Sequence, residues 1–196
     1  MSLRMSSPSV ALILLALLPP VQKPGEPKRP TAPESFRAQA NVTSDAGLAG
    51  AMYVDIHIDK YSRDADRDTM TSALKTGGYP ALLEAVRNAP AVGTVTIGKD
   101  KYTIRWAREQ RSGANKRTIS VVTDKPVYFV GGGEVNAKPR EGYELAVMQF
   151  EMDDAGMGQG TMAAAAKIKP GGPNGFVIDD YAEKPIKLTS ISRSLT

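Results

Sequence analysis

Apolar and polar residues alternate with a period of two along most of this chain, in strand-length segments separated by Gly, Pro, Asn and Asp. The clearest segment is Ala51 to Tyr61, where Met52, Val54, Ile56 and Ile58 fall on one face and Tyr53, Asp55, His57 and Asp59 on the other. Successive side chains of a strand point to opposite faces, so the pattern predicts a strand with one face buried. Gly93 to Ile97, Tyr102 to Gln110, Lys116 to Thr123 and Val127 to Val130 read the same way. Gly98-Lys99-Asp100, Ser112-Gly113-Ala114 and Asp124-Lys125-Pro126 join them as consecutive hairpins. Tyr143 to Met152 is apolar on both faces at its centre, as expected of an interior strand covered on both sides. The glycine-rich run Asp153 to Gly160 reads as a turn into Thr161 to Ile168, whose small residues Ala163 to Ala166 leave room for something bulky. Phe176 to Tyr181 and Ile186 to Arg193 complete the series.

One stretch has helical spacing instead. Ser62 or Asp64 can cap a first helix, Asp64, Asp66 and Asp68 place negative charge in its opening turns, and Met70 and Leu74 form an apolar stripe before Gly77-Gly78 ends it. Pro80 opens a second helix carrying Leu82, Leu83 and Val86, which stops before Pro90. Helices this short are unstable alone, so the pair must pack its stripe on a sheet. The predicted fold is mainly antiparallel β (α+β): a single β-sandwich or barrel-like domain of about ten strands over residues 34–196, with a short two-helix insertion near 64–88.

The first residues follow another pattern. Val10 to Leu18 reads VALILLALL, an apolar core behind Arg4, which is the layout of a secretory signal. A helix of that length covers about 14 Å of a hydrocarbon layer roughly 30 Å thick and cannot span it. Residues 1–18 are expected to be a signal peptide, although no small-x-small cleavage triplet follows Leu18. Residues 19–33 hold six prolines, four of them at three-residue spacing, and are expected to form an extended polyproline-II tether. The PxxP spacing beside Lys28-Arg29 also suits an SH3-type ligand, but in an exported chain the spacer reading is preferred. The expected location is periplasmic or secreted, with no membrane span after signal removal.

The 196 residues carry a net charge of +4, with 41% hydrophobic and 23% charged residues, a globular balance with a sequence pI of about 9.2. The basicity is unevenly placed. Residues 1–33 contain Arg4, Lys23, Lys28 and Arg29 against Glu26, whereas residues 34–196 hold twenty-one bases and twenty acids. The folded part is nearly neutral, so the pI is no argument for nucleic acid, and no such partner is expected. With no cysteine, disulfides and thiolate nucleophiles or metal sites are excluded.

Four stretches carry a family likeness: YVDIHIDKYSRDADRD (Tyr53 to Asp68), the helical pair ending in APAVGTV (Ala89 to Val95), MDDAGMGQG, and the closing FVIDDYAEKPIKLTSI. Over residues 36–194 the chain resembles a group of small exported bacterial proteins of uncharacterised function. The resemblance implies export and a β-rich single domain, and carries over no functional residue.

Candidate chemistry is sparse. GTVTIGKD (Gly93 to Asp100) matches the phosphate-loop spacing, but a strand-like segment stands where the loop should be, no helix follows, and Asp100 replaces the metal-binding hydroxyl. It reads as a hairpin turn. Asp55, His57 and Asp59 share a strand face and form a candidate metal or acid–base trio, set against the plainer reading of a solvated face. His57 is the only histidine and no GxSxG elbow is present, so a serine triad has no nameable nucleophile. Glu144, Glu151, Asp153, Asp154, Asp179 and Asp180 allow too many carboxylate pairs to select one, and DDAGMGQG lacks the spaced ligands of a calcium loop.

The segment Lys99 to Arg117 is basic, and Lys101, Arg105, Arg108, Arg111, Lys116 and Arg117 form a candidate anion-binding surface. Its aromatic partners Tyr102 and Trp106 fall with Ile104 on the opposite, apolar face, so the alternative is a charge-protected sheet edge. The preferred functional expectation is an exported non-catalytic domain that binds a partner, an envelope polymer or a small ligand, with no cofactor. The alternatives are a lipocalin-like carrier of an apolar ligand, with Ala163 to Ala166 lining its interior, and a metal-dependent enzyme using Asp55, His57 and Asp59.

Overall fold

A computed structural model describes residues 32–43, 49–111, 115–127, 140–182 and 184–194. The expected signal peptide, almost all of the expected tether and most of the expected strand Val127 to Val130 lie outside these residues. The described part belongs to the unit Thr31–Thr196. It contains β1 (Glu34–Thr43), β2 (Ala49–Ile58), α1 (Asp64–Asn88), β3 (Gly93–Ile97), β4 (Asp100–Arg111), β5 (Lys116–Thr123), β6 (Leu145–Asp153), β7 (Met157–Pro170), β8 (Phe176–Tyr181) and β9 (Ile186–Ser194).

All strand pairings are antiparallel, in the order β6-β5-β4-β3-β2-β1-β9-β7-β8, and β6 also pairs with β7. That last pairing closes eight strands into a barrel, so the barrel form of the expected fold is the one adopted, with nine described strands rather than about ten. β7 is long enough to serve β6 along one edge and, on the other, β9 at Met157–Met162 and β8 at Ala166–Pro170. β8 is therefore an extra strand outside the closed ring.

Alternation then fills two cores. Inside the barrel lie Phe36, Val54, Ile56, Ile58, Val95, Ile104, Ile119, Val121, Met148, Phe150, Leu188 and Ile191, with Phe36 and Phe150 edge to face at 5.3 Å. Outside, Met70, Leu74, Leu82 and Val86 of α1 pack on Trp106, Val122, Leu145, Val147, Ala163, Ala166, Ile168 and Phe176. The interior strand expected around residue 148 is thus covered on both faces, by the barrel core on one and by the helix on the other. The small residues at 163 and 166 admit the helix from outside and do not line the interior, while Ala164 packs against the inner core.

Trp106 also departs from the simple period-two expectation. The β4–β5 register shifts between Ile104 and Trp106, so Tyr102, Ile104 and Ala107 face inward while Trp106 turns outward against Phe176, 5.2 Å away. A bulge inserts one residue and reverses the faces beyond it.

The helical segment is one element rather than two separate helices, broken at Gly78 with φ 68° and ψ −159°. A left-handed backbone is easiest for glycine, which is why the break falls at the expected boundary. The N-cap is Arg63 rather than Ser62 or Asp64, with its N–H donating to Asp66 Oδ2 at 2.7 Å. Ser62 instead docks on the β4 bulge: its N–H donates to Ala107 O at 2.7 Å, and its Oγ accepts from Ala107 N–H at 3.2 Å.

The glycine-rich turn is also shorter than expected, because β7 begins at Met157 and includes Gly158 and Gly160. A Cβ at Gly160 would lie 2.3 Å from Gln149 O and 2.4 Å from Phe150 Cβ, so glycine is needed here for close strand approach. Gly160→Ala should cost about 1–3 kcal/mol in urea denaturation. Gly50→Ala, whose Cβ would meet nothing within 4 Å, should stay within about 0.5 kcal/mol of the parent. Equal effects at the two positions would contradict the close approach of β6 and β7.

Candidate functional site

The expected metal trio resolves into separate pairs. Asp55 receives Arg37 Nε at 2.6 Å and Nη2 at 3.1 Å across the β1–β2 pair. His57 Nδ1 lies 2.7 Å from Ser35 Oγ, and His57 Nε2 lies 3.2 Å from Asp59 Oδ1. Ser35 is thus the serine partner that sequence reasoning could not name, because it lies on the neighbouring strand. The chain Ser35–His57–Asp59 sits on a polar outer face, with the histidine and aspartate side chains 43% and 62% exposed. Among the described residues no group of three or more His, Cys, Asp or Glu could hold a metal ion.

The six candidate basic residues do not share a face. Lys101 and Arg111 are exposed at the two ends of β4. Arg105 donates through Nη1 to Ala89 O at 2.8 Å and through Nε and Nη2 to Asp124 Oδ2 at 3.3 Å. Arg108 pairs with Asp64 in the first turn of α1 at 2.9 Å, and Lys116 stands 4.0 Å from Glu151. Arg117 points inside the barrel. The GTVTIGKD segment is the β3–β4 hairpin, with Gly98 at φ +61° in its turn.

Arg117 belongs to a polar cluster at the barrel mouth where β1 begins. Glu34, Glu109, Arg117 and Arg193 stand two residues from the inward-facing Phe36, Ala107, Ile119 and Ile191, so alternation directs all four inward. Arg117 donates to both oxygens of Glu34 at 2.9 Å. Arg193 Nε approaches Glu34 at 3.1 Å, Glu109 lies 3.7 Å from Arg117, and the Tyr61 hydroxyl donates to Glu34 at 2.6 Å. The Glu34 side chain has no accessible surface and that of Arg117 only 8%. Two acids and two guanidinium groups balance at the mouth, Arg117 buried and Arg193 exposed at its rim.

Burial alone would raise the Glu34 pKa, but hydrogen bonds from Arg117 and Tyr61 and the charges of Arg117 and Arg193 outweigh it and hold the carboxyl below its ordinary value. Tyr61 is pushed up, by burial first and then by its bond to the Glu34 carboxylate.

Tyr61 connects this cluster to an open groove of about 640 Å³ beside the helix. The strap 59–63, the two ends of α1, the link Pro90–Val92 and the β4 bulge build it. Asp59 and Lys60 N–H groups donate to Val92 O at 2.9 and 3.3 Å, and Val92 N–H donates to Ile104 O at 2.8 Å, which fastens strap and link to the barrel. Met70, Ala85, Ala89, Pro90 and Val92 give apolar lining, and Lys60, Arg63 and Arg105 bring positive charge against Asp66. Sequence reasoning missed this groove because its walls come from three separated stretches, 60–70, 85–92 and residue 105, with no shared motif.

No protein-family model, curated protein or solved structure matches the chain. The groove and the charged mouth are therefore read from their own geometry.

A depressed folded-state pKa contributes stability that is complete above the unfolded value, roughly 4.3 for a glutamate, and is lost as pH falls through the lower folded value. The chain should accordingly lose stability on acidification through that range. Glu34→Gln should cost about 3–5 kcal/mol in urea denaturation at pH 7, because the buried Arg117 loses the nearer of its two counter-charges, and should flatten the acid limb. A cost under about 1 kcal/mol would show that the mouth does not depend on the pair.

Proposed function

We propose that this chain is an exported, non-catalytic β-barrel domain that binds a small molecule in the groove between the strap and the helix ends, in the periplasm or outside the cell. The observation that carries the reading is the groove itself. At about 640 Å³ it falls within the roughly 300–1,000 Å³ of small-molecule sites, and it joins a mostly apolar lining to a few polar groups, as such sites do. Backbone hydrogen bonds fix its walls before any ligand arrives, so binding need not order them.

Two observations favour the groove over the alternatives. An eight-stranded barrel can either fill with side chains or hold one small ligand. Here Val54, Ile58, Val95, Ile104, Ile119, Val121, Met148, Leu188 and Ile191 have no accessible surface at all. The described lumen is packed, which sets the groove ahead of the lumen as the place for an apolar ligand. The metal-dependent enzyme reading loses support because Asp55 is taken by Arg37 while His57 turns to Ser35 and Asp59.

Met70 lines both the groove and the outer core, so its methyl group reports occupancy. Methyl NMR of the full chain with labelled methionine, screened against a small-molecule library, should yield ligands that shift Met70. Ala85→Trp, which fills the groove from the helix, should abolish those shifts and leave the melting temperature within a few degrees. Ligands that bind equally well to Ala85→Trp would overturn the reading.

A further inference from the structure

The reading of the groove as a ligand site leaves the ligand's chemistry open, and Arg105 narrows it. The β4 bulge turns this side chain outward, where it lines the groove with 26% of its surface accessible. A guanidinium has five N–H donors in a planar fork. Ala89 O takes one from Nη1, and Asp124 Oδ2 takes one each from Nε and Nη2. That leaves one N–H on each terminal nitrogen with no partner among the described residues. The head is fixed from behind by a helix C-terminal carbonyl and a carboxylate, so its two remaining donors are already oriented. Two N–H groups from a fixed fork suit a carboxylate better than a neutral hydroxyl.

The surrounding charge points the same way. Lys60 lies on the strap at the rim, exposed, and Arg63 follows three residues later. The acid in the lining, Asp66, accepts from the Arg63 backbone N–H at 2.7 Å, and its pKa is lowered by that bond first and by the Arg63 side chain second. It is occupied as the helix cap. Arg63 is paired with Asp66 and Arg105 with Asp124, so three cations against two acids leave the polar end of the groove with one net positive charge, that of the exposed Lys60, while Met70, Ala85, Pro90 and Val92 present aliphatic surface beside it.

We infer that the groove takes a single-chain amphiphile with a carboxylate head, the head on Arg105 and Lys60 and the aliphatic chain along Met70, Ala85 and Val92. Both halves are required. The chain supplies apolar burial at about 0.8 kcal/mol per methylene, and the head selects by charge-assisted hydrogen bonds.

The test compares three ligands with the same tail, each below its critical micelle concentration, on the full chain: dodecanoate, dodecanol and dodecyltrimethylammonium. The Met70 methyl shift serves as readout. Dodecanoate should bind at least about tenfold more tightly than dodecanol, the factor expected for one hydrogen bond to a charged group, and the cation should bind more weakly still. Lys60→Glu, at an exposed position with little bearing on folding, should weaken dodecanoate by about the same factor and leave dodecanol unchanged. Arg105→Lys keeps the charge but removes the fork, and should erase most of the preference for the carboxylate. If dodecanol or the cation binds as tightly as dodecanoate, the carboxylate assignment is wrong while the groove stands as a site. If none of the three moves Met70, the carboxylate amphiphile is excluded, and the library screen alone then decides the broader reading.

Discussion

A carboxylate cannot be buried without compensating charge and hydrogen bonds, and the mouth of this barrel is arranged around that condition. Glu34 opens β1, Arg117 is the second residue of β5, Arg193 lies near the end of β9, and Tyr61 is at the middle of the strap that leads to the helix. One buried carboxylate therefore ties together four parts of the chain up to 159 positions apart in sequence, from residue 34 to residue 193. Hydrogen-bonded strand ladders fix neighbours, but β1 and β5 are not neighbours in the ring. The bidentate Arg117–Glu34 pair crosses the lumen and sets their spacing directly. Arg117 also lies over the Phe36 ring at 5.7 Å, so the charged layer rests on the aromatic top of the apolar core.

The groove inherits its position from the same cluster. Tyr61 is held by Glu34 on one side and lines the groove on the other. Ser62 then fastens the strap to the β4 bulge, and the bulge presents Arg105 to the groove. Core, strap and candidate site form a continuous series of contacts, in which the irregular residue of β4 matters as much as the regular ones.

Strong alternation made β2 legible from sequence, since Val54, Ile56 and Ile58 are large and inward, and the glycine pair at 77–78 marked the helix break. β1 was obscure: two of its inward positions are Ala38 and Ala40, too small to signal burial, and its first inward residue is the charged Glu34. Charge likewise hid Arg117, since a basic residue near a strand end reads as solvated until its partner is known, and that partner lies 83 positions away. Period-two counting also misassigned Trp106, because a bulge depends on the pairing of two strands and leaves no local mark. The candidate site was illegible for a related reason. Strap, helix ends, link and bulge meet only after the barrel closes, and none is distinctive alone.

The place where the chain enters the barrel has a mechanical consequence. The proline-rich residues 19–33 lead directly into β1, which pairs with β2 along all ten of its residues and with β9 on its other side. Antiparallel ladder bonds lie perpendicular to the strands. Tension along β1 therefore strains many of them at once, in shear, instead of opening them one by one as in a zipper. The first residue to feel that pull is Glu34, already clamped by Arg117 and Arg193. A strand end that would otherwise fray is thus clamped to the opposite wall of the barrel, and through Tyr61 the same clamp reaches the groove.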